Sequence, residues 1–175
     1  GGGVPARVRA EKALRGRLGV PVAERARLLA EQMVTLGTGT VRSHVDVDPE
    51  VGLDGLRAVV DLREAMADRL RIQVAAFPQS GILKAPGVAA LLADAVDAGA
   101  EVVGGLDPDG FDDDAPAHLD VVFGVAAERD VPVDVHLHDL GARALHQYAL
   151  IAHRTREHDL AGRVAISHAY GFGSV

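Results

Sequence analysis

Several side chains that could bind a metal, carry a proton or hold a polar ligand lie at the ends of evenly spaced hydrophobic runs. In chain order these are His44 and Asp46, then Gln79, then Asp107, then His136, His138 and Asp139, and finally His168. The runs begin at residues 41, 71, 101, 131 and 164, so the spacing is 30 residues three times and then 33. If the runs are parallel strands, their C-terminal ends meet at one edge and these side chains share one site.

The pair His136 and His138 is the strongest signal of metal or proton chemistry. The two residues are two positions apart on a predicted strand, so their side chains lie on one face. The alternate residues of this run are apolar and would pack against helices. Two inward imidazoles could bind a divalent metal such as zinc, or they could belong to a buried polar network. His168 ends the next run, and an adjacent strand would bring its ring close to that of His136.

The other strand-end residues each have two interpretations. His44 and Asp46 share a face, where a lining or orienting role suits them as well as direct contact with a ligand. The amide of Gln79 both donates and accepts, which suits the edge of a polar site, but it also suits an exposed loop. Asp107 could accept hydrogen bonds from a substrate or belong to a solvated acidic loop. The remaining histidines fall in helix patterns and are predicted at the surface: His118, His146, His153 and His158.

Strands that alternate with helices must position these residues. Predicted strands cover 41–47, 72–77, 101–106, 131–137 and 164–169. Predicted helices cover 6–18, 22–36, 87–98, 115–129 and 141–157. An apolar stripe from Leu53 to Leu70 predicts one more helix, with Asp48-Pro49 as its N-cap and first turn. This alternation indicates βα units and a parallel sheet.

Two architectures fit this order of elements, an open doubly wound sheet and a (β/α)8 barrel. Gly104-Gly105 forms no G-x-G-x-x-G motif, and polar residues recur at every strand end rather than at one switch point. Both observations favour the barrel, although a complete barrel has eight strands. We therefore predict an α/β fold, a partial (β/α)8 TIM barrel of about five βα units. It forms a single domain over 1–175, with a helical lead-in over 1–38 and βα repeats over 39–175.

The composition narrows the classes of partner and compartment. The net charge is −7, which argues against nucleic acid or an anionic membrane surface as the main partner. The chain has no cysteine, so disulfides and thiolate metal sites are excluded. No apolar stretch approaches the ~20 residues that span a bilayer, and no secretory signal opens the chain. We therefore predict a cytoplasmic protein that binds a small molecule.

Five motifs resemble those of cytosine deaminase-like amidohydrolases in order and spacing. They are Arg42-Ser-His-Val-Asp-Val-Asp48, Gln73-Val-Ala-Ala-Phe-Pro-Gln79, Val102-Val-Gly-Gly-Leu-Asp107, Val133-Asp-Val-His-Leu-His-Asp139 and Ser167-His168. The resemblance implies a (β/α)8 enzyme that hydrolyses C–N bonds on a cytosine-like or triazine-like nitrogen heterocycle with one divalent metal ion, zinc or iron. It also implies that His136 is a metal ligand, that His168 contacts the hydrolytic water or the developing charge, and that Gln79 holds the ring.

Position 139 departs from the cytosine deaminases, which carry a proton-shuttling glutamate there. Asp139 is one methylene shorter, and His138 precedes it. The His-Leu-His-Asp form resembles relatives that release amines from N-substituted triazine rings. In those relatives the second histidine carries the proton, and an aspartate at the place of Asp107 lies in the active site. The resemblance therefore implies His138 as the general base, with Asp139 as a rival or an orienting partner.

The family pattern also includes residues that this sequence does not contain. A His-x-His pair on the first strand and an aspartate on the eighth bind or flank the metal, so we expect a fragment of a longer enzyme. Two alternatives stay open. One is an inactive partial barrel whose open edges pair with another chain, for example in a homo-oligomer. The other is a hydrolase of cyclic amides. Such enzymes usually carry a carboxylated lysine on the fourth strand of the complete barrel, and the matching run here, from Glu101 to Leu106, has no lysine.

Overall fold

The computed structural model of the chain describes residues 4–15 and 17–173. Five parallel strands form one sheet, and their order in the sheet is their order in the chain. They are β1 (Thr40–Asp46), β2 (Arg71–Phe77), β3 (Val102–Leu106), β4 (Val133–Leu137) and β5 (Val164–His168). Consecutive parallel strands joined by helices are the arrangement of a partial (β/α)8 barrel, so the predicted fold class is confirmed.

Helices precede the first strand and connect the others. They are α1 (Val4–Arg15), α2 (Val22–Thr35), α3 (Asp54–Ala65), α4 (Val88–Asp97), α5 (Pro108–Asp112), α6 (Ala115–Glu128) and α7 (Gly141–Glu157), and a 3-10 helix over Tyr170–Gly173 follows β5. The sequence patterns do not predict α5, a helix of little more than one turn that Pro108 opens. Within the described part of the chain, no helix combines the length and the apolar character needed to cross a membrane.

The hydrophobic core lies between one face of the sheet and the helices. Val74, Val103 and Val135 of the central strands are fully buried there, against helix residues such as Leu92 and Phe123. Each large apolar side chain buried in this way stabilises the fold by roughly 1.5–3 kcal/mol. Because side chains alternate along a strand, the residues directly before and after each of these valines point to the opposite face of the sheet. That face would be the interior of the barrel.

The strand register places the C-terminal ends of the strands level with one another. Leu106 pairs with His136, and Leu137 pairs with His168. Beyond the end of β3, the backbone N–H of Asp107 still donates to the carbonyl of His136 at 2.9 Å. We call this row of strand ends the carboxyl edge. It gathers the polar residues that follow or end each strand.

Among the element boundaries that differ from the prediction, two have a clear local cause. Asp48 does not cap α3, because its Oδ1 accepts the backbone N–H groups of Glu50 at 2.9 Å and Val51 at 3.2 Å and so forms a turn. Aspartate stabilises such turns as readily as helix caps, and α3 consequently begins only at Asp54. Strand β4 begins at Val133 rather than at residue 131, directly after Pro132, which has no N–H to donate to a sheet.

Candidate active site

The imidazole rings of His44 and His136 meet at the carboxyl edge. Their Nε2 atoms are 3.0 Å apart, although the residues lie on β1 and β4. Phe77, at the end of β2, packs against both rings, with centroid distances of 5.4 Å to His44 and 4.7 Å to His136. The curvature of the sheet toward a barrel therefore brings together rings from strands that are not neighbours.

Asp134 completes this cluster and holds His44 in place. One of its oxygens, Oδ2, accepts from Arg42 Nη1 at 2.6 Å and lies 3.2 Å from His44 Nε2. The other, Oδ1, accepts from the hydroxyl of Ser167 at 2.7 Å. Burial raises the pKa of Asp134, but the hydrogen bonds from His44, Ser167 and Arg42 outweigh burial and hold that pKa well below its ordinary value. The carboxylate is thus ionised at neutral pH.

His136 is held in its neutral form. Burial, and after it the neighbouring His44, lowers the pKa of His136 to about 4, although the charge of Asp134 acts in the opposite direction. A neutral imidazole carries a lone pair on one ring nitrogen, which is the form that binds a metal. The observed position of His136, at the carboxyl edge with its ring inside the barrel, agrees with the prediction. Its role as a metal ligand stays a prediction.

The donors in this cluster fit a divalent metal. One ligand atom each from His44, Asp134 and His136 lies within 4.8 Å of the others. Two Zn–N bonds of ~2.0–2.1 Å at a tetrahedral angle would hold their nitrogens about 3.3 Å apart, close to the observed 3.0 Å. Both Asp134 oxygens already accept from protein donors, whereas His44 Nε2 would exchange its hydrogen bond to Asp134 for the metal. The two imidazoles are the better candidate ligands.

Asp107 binds His138 through both of its oxygens. Oδ2 lies 2.9 Å from the ring Nδ1, and Oδ1 accepts the backbone N–H of His138 at 2.6 Å. A carboxylate can only accept, so Nδ1 carries the proton and Nε2 of a neutral ring carries the lone pair. Asp107 is only 4% exposed, so it does not belong to a solvated loop, and that interpretation is wrong. Its backbone is left-handed, with φ of 35°, at the turn into α5.

His168 stacks loosely on His138 at the end of β5. The ring centroids are 4.2 Å apart with 30° between the planes, and the ring of His136 is 4.9 Å away. Burial, followed by the charge of His138, lowers the pKa of His168. His168 and Ala169 both have positive φ values, 69° and 49°, and the strand ends there rather than at residue 169 as predicted. Consecutive non-glycine residues in this region store strain, which is typical of functional sites.

Asp139 and Asp46 lie apart from the histidine cluster. Asp139 accepts from Gln147 Nε2 at 2.8 Å, and its other oxygen is 3.7 Å from Arg143 on α7. Asp46 forms an ion pair with Arg15 of α1. Burial raises the pKa of Asp46 above its ordinary value, although Arg15 acts in the opposite direction. Among the contacts of the described residues, neither carboxylate touches a histidine ring. The contacts therefore disfavour Asp139 as the proton carrier.

Gln79 contacts α1 rather than a neighbouring strand end. Its Nε2 donates to Glu11 Oε2 at 2.9 Å. Both residues line a cavity of about 180 Å³ at the carboxyl edge, whose other walls are Arg7, Val8, Leu106, His136 and His138. A cavity of this volume has room for a single six-membered ring. The position of Gln79 agrees with the edge of a polar site and not with a fully exposed loop.

Sequence reasoning missed two buried groups. Asp134 lies two residues before His136 on the same strand, so the alternation that paired His136 with His138 could have identified it. His118 is fully buried, so its predicted surface position is wrong. Its Nδ1 lies 2.7 Å from Asp112 Oδ2, which also accepts the backbone N–H groups of Ile82 and Leu83. Helical periodicity gave no signal for this pair, because only packing of α5 on α6 brings it together.

Comparisons with known proteins agree with this geometry. The crystal structure of N-isopropylammelide isopropylaminohydrolase from Burkholderia multivorans superimposes with a TM-score of 0.93 at 40% identity, over 99% of this chain and 44% of that one. N-isopropylammelide isopropyl amidohydrolase of Pseudomonas sp. strain ADP is 36% identical over 143 residues, which are 82% of this chain and 36% of the relative. The chain belongs to the cytosine deaminase-like amidohydrolases.

Two further proteins are similar to the chain over most of its length. The structure of 5-methylcytosine deaminase from Klebsiella pneumoniae with bound phosphonocytosine matches with a TM-score of 0.81 at 27% identity, over 96% of this chain and 42% of that one. An uncharacterised Escherichia coli protein, YahJ, is 34% identical over 158 residues, 87% of this chain and 33% of the relative. No model of a known protein family matches the chain. The chain spans less than half the length of each of the four relatives named above. The predicted family resemblance is confirmed.

Proposed function

We propose that the intact protein is a metal-dependent amidohydrolase that hydrolyses a C–N bond on a cytosine-like or N-substituted triazine-like ring. The observation that carries this proposal is the convergence of His44, His136, His138 and His168 beside a ring-sized cavity. Hydrolases that act on such rings need a nucleophilic water, a base and a holder for the ring, and each has a candidate here. The names of the relatives support the same reaction class.

His136 and His44 would hold the metal through their Nε2 atoms, beside the ionised carboxylate of Asp134. When bound, a zinc or iron ion would supply Lewis-acid activation of water, whose pKa falls toward ~7 in such sites. Imidazole ligands suit both metals, so the choice between them is left to measurement. The neutral state of His136 at pH 7 favours ligation because no proton has to be displaced.

His138 would act as the general base at Nε2. Asp107 keeps the proton on Nδ1, so the lone pair of Nε2 is available to take a proton from the attacking water. Oxygen then bonds to the ring carbon that bears the amino group. His138 returns the proton to the leaving nitrogen as the C–N bond breaks, which releases ammonia or an amine. His168, stacked beside His138, would donate a hydrogen bond to the charge that develops on oxygen.

The test is turnover by the intact gene product loaded with zinc or iron. Release of ammonia or amine is measured from cytosine, isocytosine and N-alkylamino triazines, for the wild type, for His138→Gln and for His146→Gln. His146 is an exposed histidine of α7 and serves as the matched control. We expect turnover by the wild type, a loss of roughly 100- to 10,000-fold in His138→Gln, and no change in the control. No turnover of any ring by the metal-loaded wild type would overturn the proposal.

A further inference from the structure

We propose that Glu11 of α1 determines ring specificity by fixing the orientation of the Gln79 amide, so that the cavity selects rings presenting an N–H group beside a carbonyl. This inference rests on the proposed function, because it defines the ring edge that the same cavity would accept. Glu11 acts through Gln79 and is therefore a positioning residue rather than a catalytic one.

One face of α1 is docked over the carboxyl edge. Val8 is buried, and Glu11, Lys12 and Arg15 follow it at the spacing of a single helix face. Arg15 forms ion pairs with Asp46 and Asp48, and Lys12 Nζ lies 3.4 Å from Asp48 Oδ2. These contacts hold the helix against the strand ends and make Glu11 a wall of the cavity.

The Asp48 side chain that anchors α1 is itself fixed. It is fully buried and accepts the hydroxyl of Ser80 at 2.9 Å. Burial raises the pKa of Asp48, but hydrogen bonds from Ser80, the Glu50 backbone and Arg15 lower it to about 2. The anchor is therefore charged at any pH at which the protein would work. Ser80 is the neighbour of Gln79, so the same anchor fixes the start of the loop that carries Gln79.

The contact between Gln79 and Glu11 has only one chemically allowed polarity. A carboxylate can only accept, so the amide must turn its NH2 group toward Glu11, as the 2.9 Å contact from Nε2 has it. The amide oxygen, Oε1, has no donor among the residues that the structure describes. Oε1 is the amide atom left to accept from a ligand in the cavity, while Nε2 keeps one N–H beyond its contact with Glu11.

This polarity separates two classes of ring. A ring that presents an N–H can donate to Oε1, whereas a ring nitrogen with a lone pair would face an acceptor and leave both groups unpaired. Arg7, on the same cavity wall, offers only donors and would complement a carbonyl next to that N–H. The lactam-like edge of a hydroxylated pyrimidine or triazine has this pattern. Without Glu11 the amide could rotate and accept either class.

Binding calorimetry on the intact protein tests the inference with two probes. Uracil carries N–H groups beside carbonyls, and pyrimidine carries only accepting nitrogens. The variants are Glu11→Gln, Gln79→Glu and the double exchange of both, with Glu24→Gln, an exposed glutamate of α2, as the control. In the double exchange, the amide at position 11 would donate to the carboxylate at position 79, which again leaves an accepting oxygen for the ring.

We expect the wild type and the control to bind uracil more tightly than pyrimidine by at least about tenfold. Glu11→Gln should reduce this preference to within about threefold, and the double exchange should restore it. Gln79→Glu alone places two carboxylates face to face and should lower the melting temperature, which the double exchange recovers. A wild type without preference, a preference that survives in Glu11→Gln, or a double exchange that recovers neither quantity would overturn the inference.

Turnover in the same preparations separates the two proposals. Selectivity that depends on Glu11 without hydrolysis of any ring would remove the proposed function and leave this inference intact. Hydrolysis with a selectivity that Glu11→Gln does not change would remove only the inference.

Discussion

The carboxylate of Asp107 accepts two hydrogen bonds from His138, one from the ring Nδ1 at 2.9 Å and one from the backbone N–H at 2.6 Å. The two residues are 31 positions apart and follow adjacent strands. Because both oxygens are engaged, the imidazole can neither rotate nor move its proton to the other nitrogen without losing a charge-assisted hydrogen bond. This contact links the residue that directly follows β3 to the candidate base.

Replacing Asp107 by asparagine should disable His138 while the fold remains. The amide can donate to Nδ1, which favours the tautomer with the proton on Nε2 and removes the lone pair from the reacting side. We expect kcat to fall by roughly 100- to 10,000-fold, with a smaller change in KM. Steady-state kinetics and nitrogen NMR of the histidine rings measure both effects. Asp94→Asn, at an exposed site on α4, is the control. Unchanged kcat in Asp107→Asn would show that His138 needs no such partner.

Metal content should depend on the histidine pair more than on the carboxylate beside it. We expect His136→Gln and His44→Gln to lose most of the metal bound by the intact protein. Asp134→Asn should weaken binding by about 10- to 100-fold, because it removes the negative charge beside the histidine pair. Elemental analysis after dialysis against a graded chelator series measures this order. His153→Gln, an exposed change on α7, should bind metal as the wild type does. Full occupancy in His136→Gln would exclude it as a ligand.

The metal-free protein should lose stability as the pH falls from about 6.5 to about 4. His136 has a pKa of about 4 in the fold and an ordinary value of 6.5 when unfolded. Over this window the unfolded state binds more protons, so stability rises with pH between the two values and falls on acidification. The contribution is up to about 3 kcal/mol. Chemical denaturation of the wild type and of His136→Gln at a series of pH values measures it. An equally steep pH dependence in His136→Gln would contradict the assignment.

The buried pair Asp112 and His118 should hold the loop after β2 in place. Asp112 accepts the backbone N–H groups of Ile82, Leu83 and Lys84, and His118 supports it from α6. Burial raises the pKa of Asp112, but the hydrogen bonds from His118 and the loop outweigh it and lower that pKa.

Asp112→Asn should therefore destabilise the protein by about 2 kcal/mol and speed hydrogen exchange of the three loop amides. Exchange followed by mass spectrometry of peptides covering residues 78–90 tests this. The control, Asp113→Asn, changes a neighbouring carboxylate that is exposed and pairs only with Lys84 among the described residues. Equal exchange rates in the two variants would show that the loop is held by other contacts.

Much of the fold could be predicted from periodicity alone. Runs of alternating or continuous apolar residues about 30 positions apart, separated by helix patterns, determine parallel βα units because each strand needs a crossover helix before the next. The same pattern places His136 and His168 at neighbouring strand ends, and the register of β4 and β5 agrees. The predicted start of α3 was wrong because the side chain of Asp48 forms a local turn instead of capping the helix. The cytoplasmic location and the single-domain assignment stay predictions.

The partners of the site residues were decided by tertiary structure. Local spacing says on which face of a strand His44 lies, but only the curvature of the sheet puts its Nε2 within 3.0 Å of His136, which is 92 positions away. In the same way, Asp139 faces α7 rather than the histidines, and Glu11 reaches Gln79 across 68 positions. The sequence by itself determined the strands, their order and the types of residue at the carboxyl edge. Which carboxylate orients which side chain depended on how loops and helices from distant parts of the chain pack, and periodicity carries no information about such contacts.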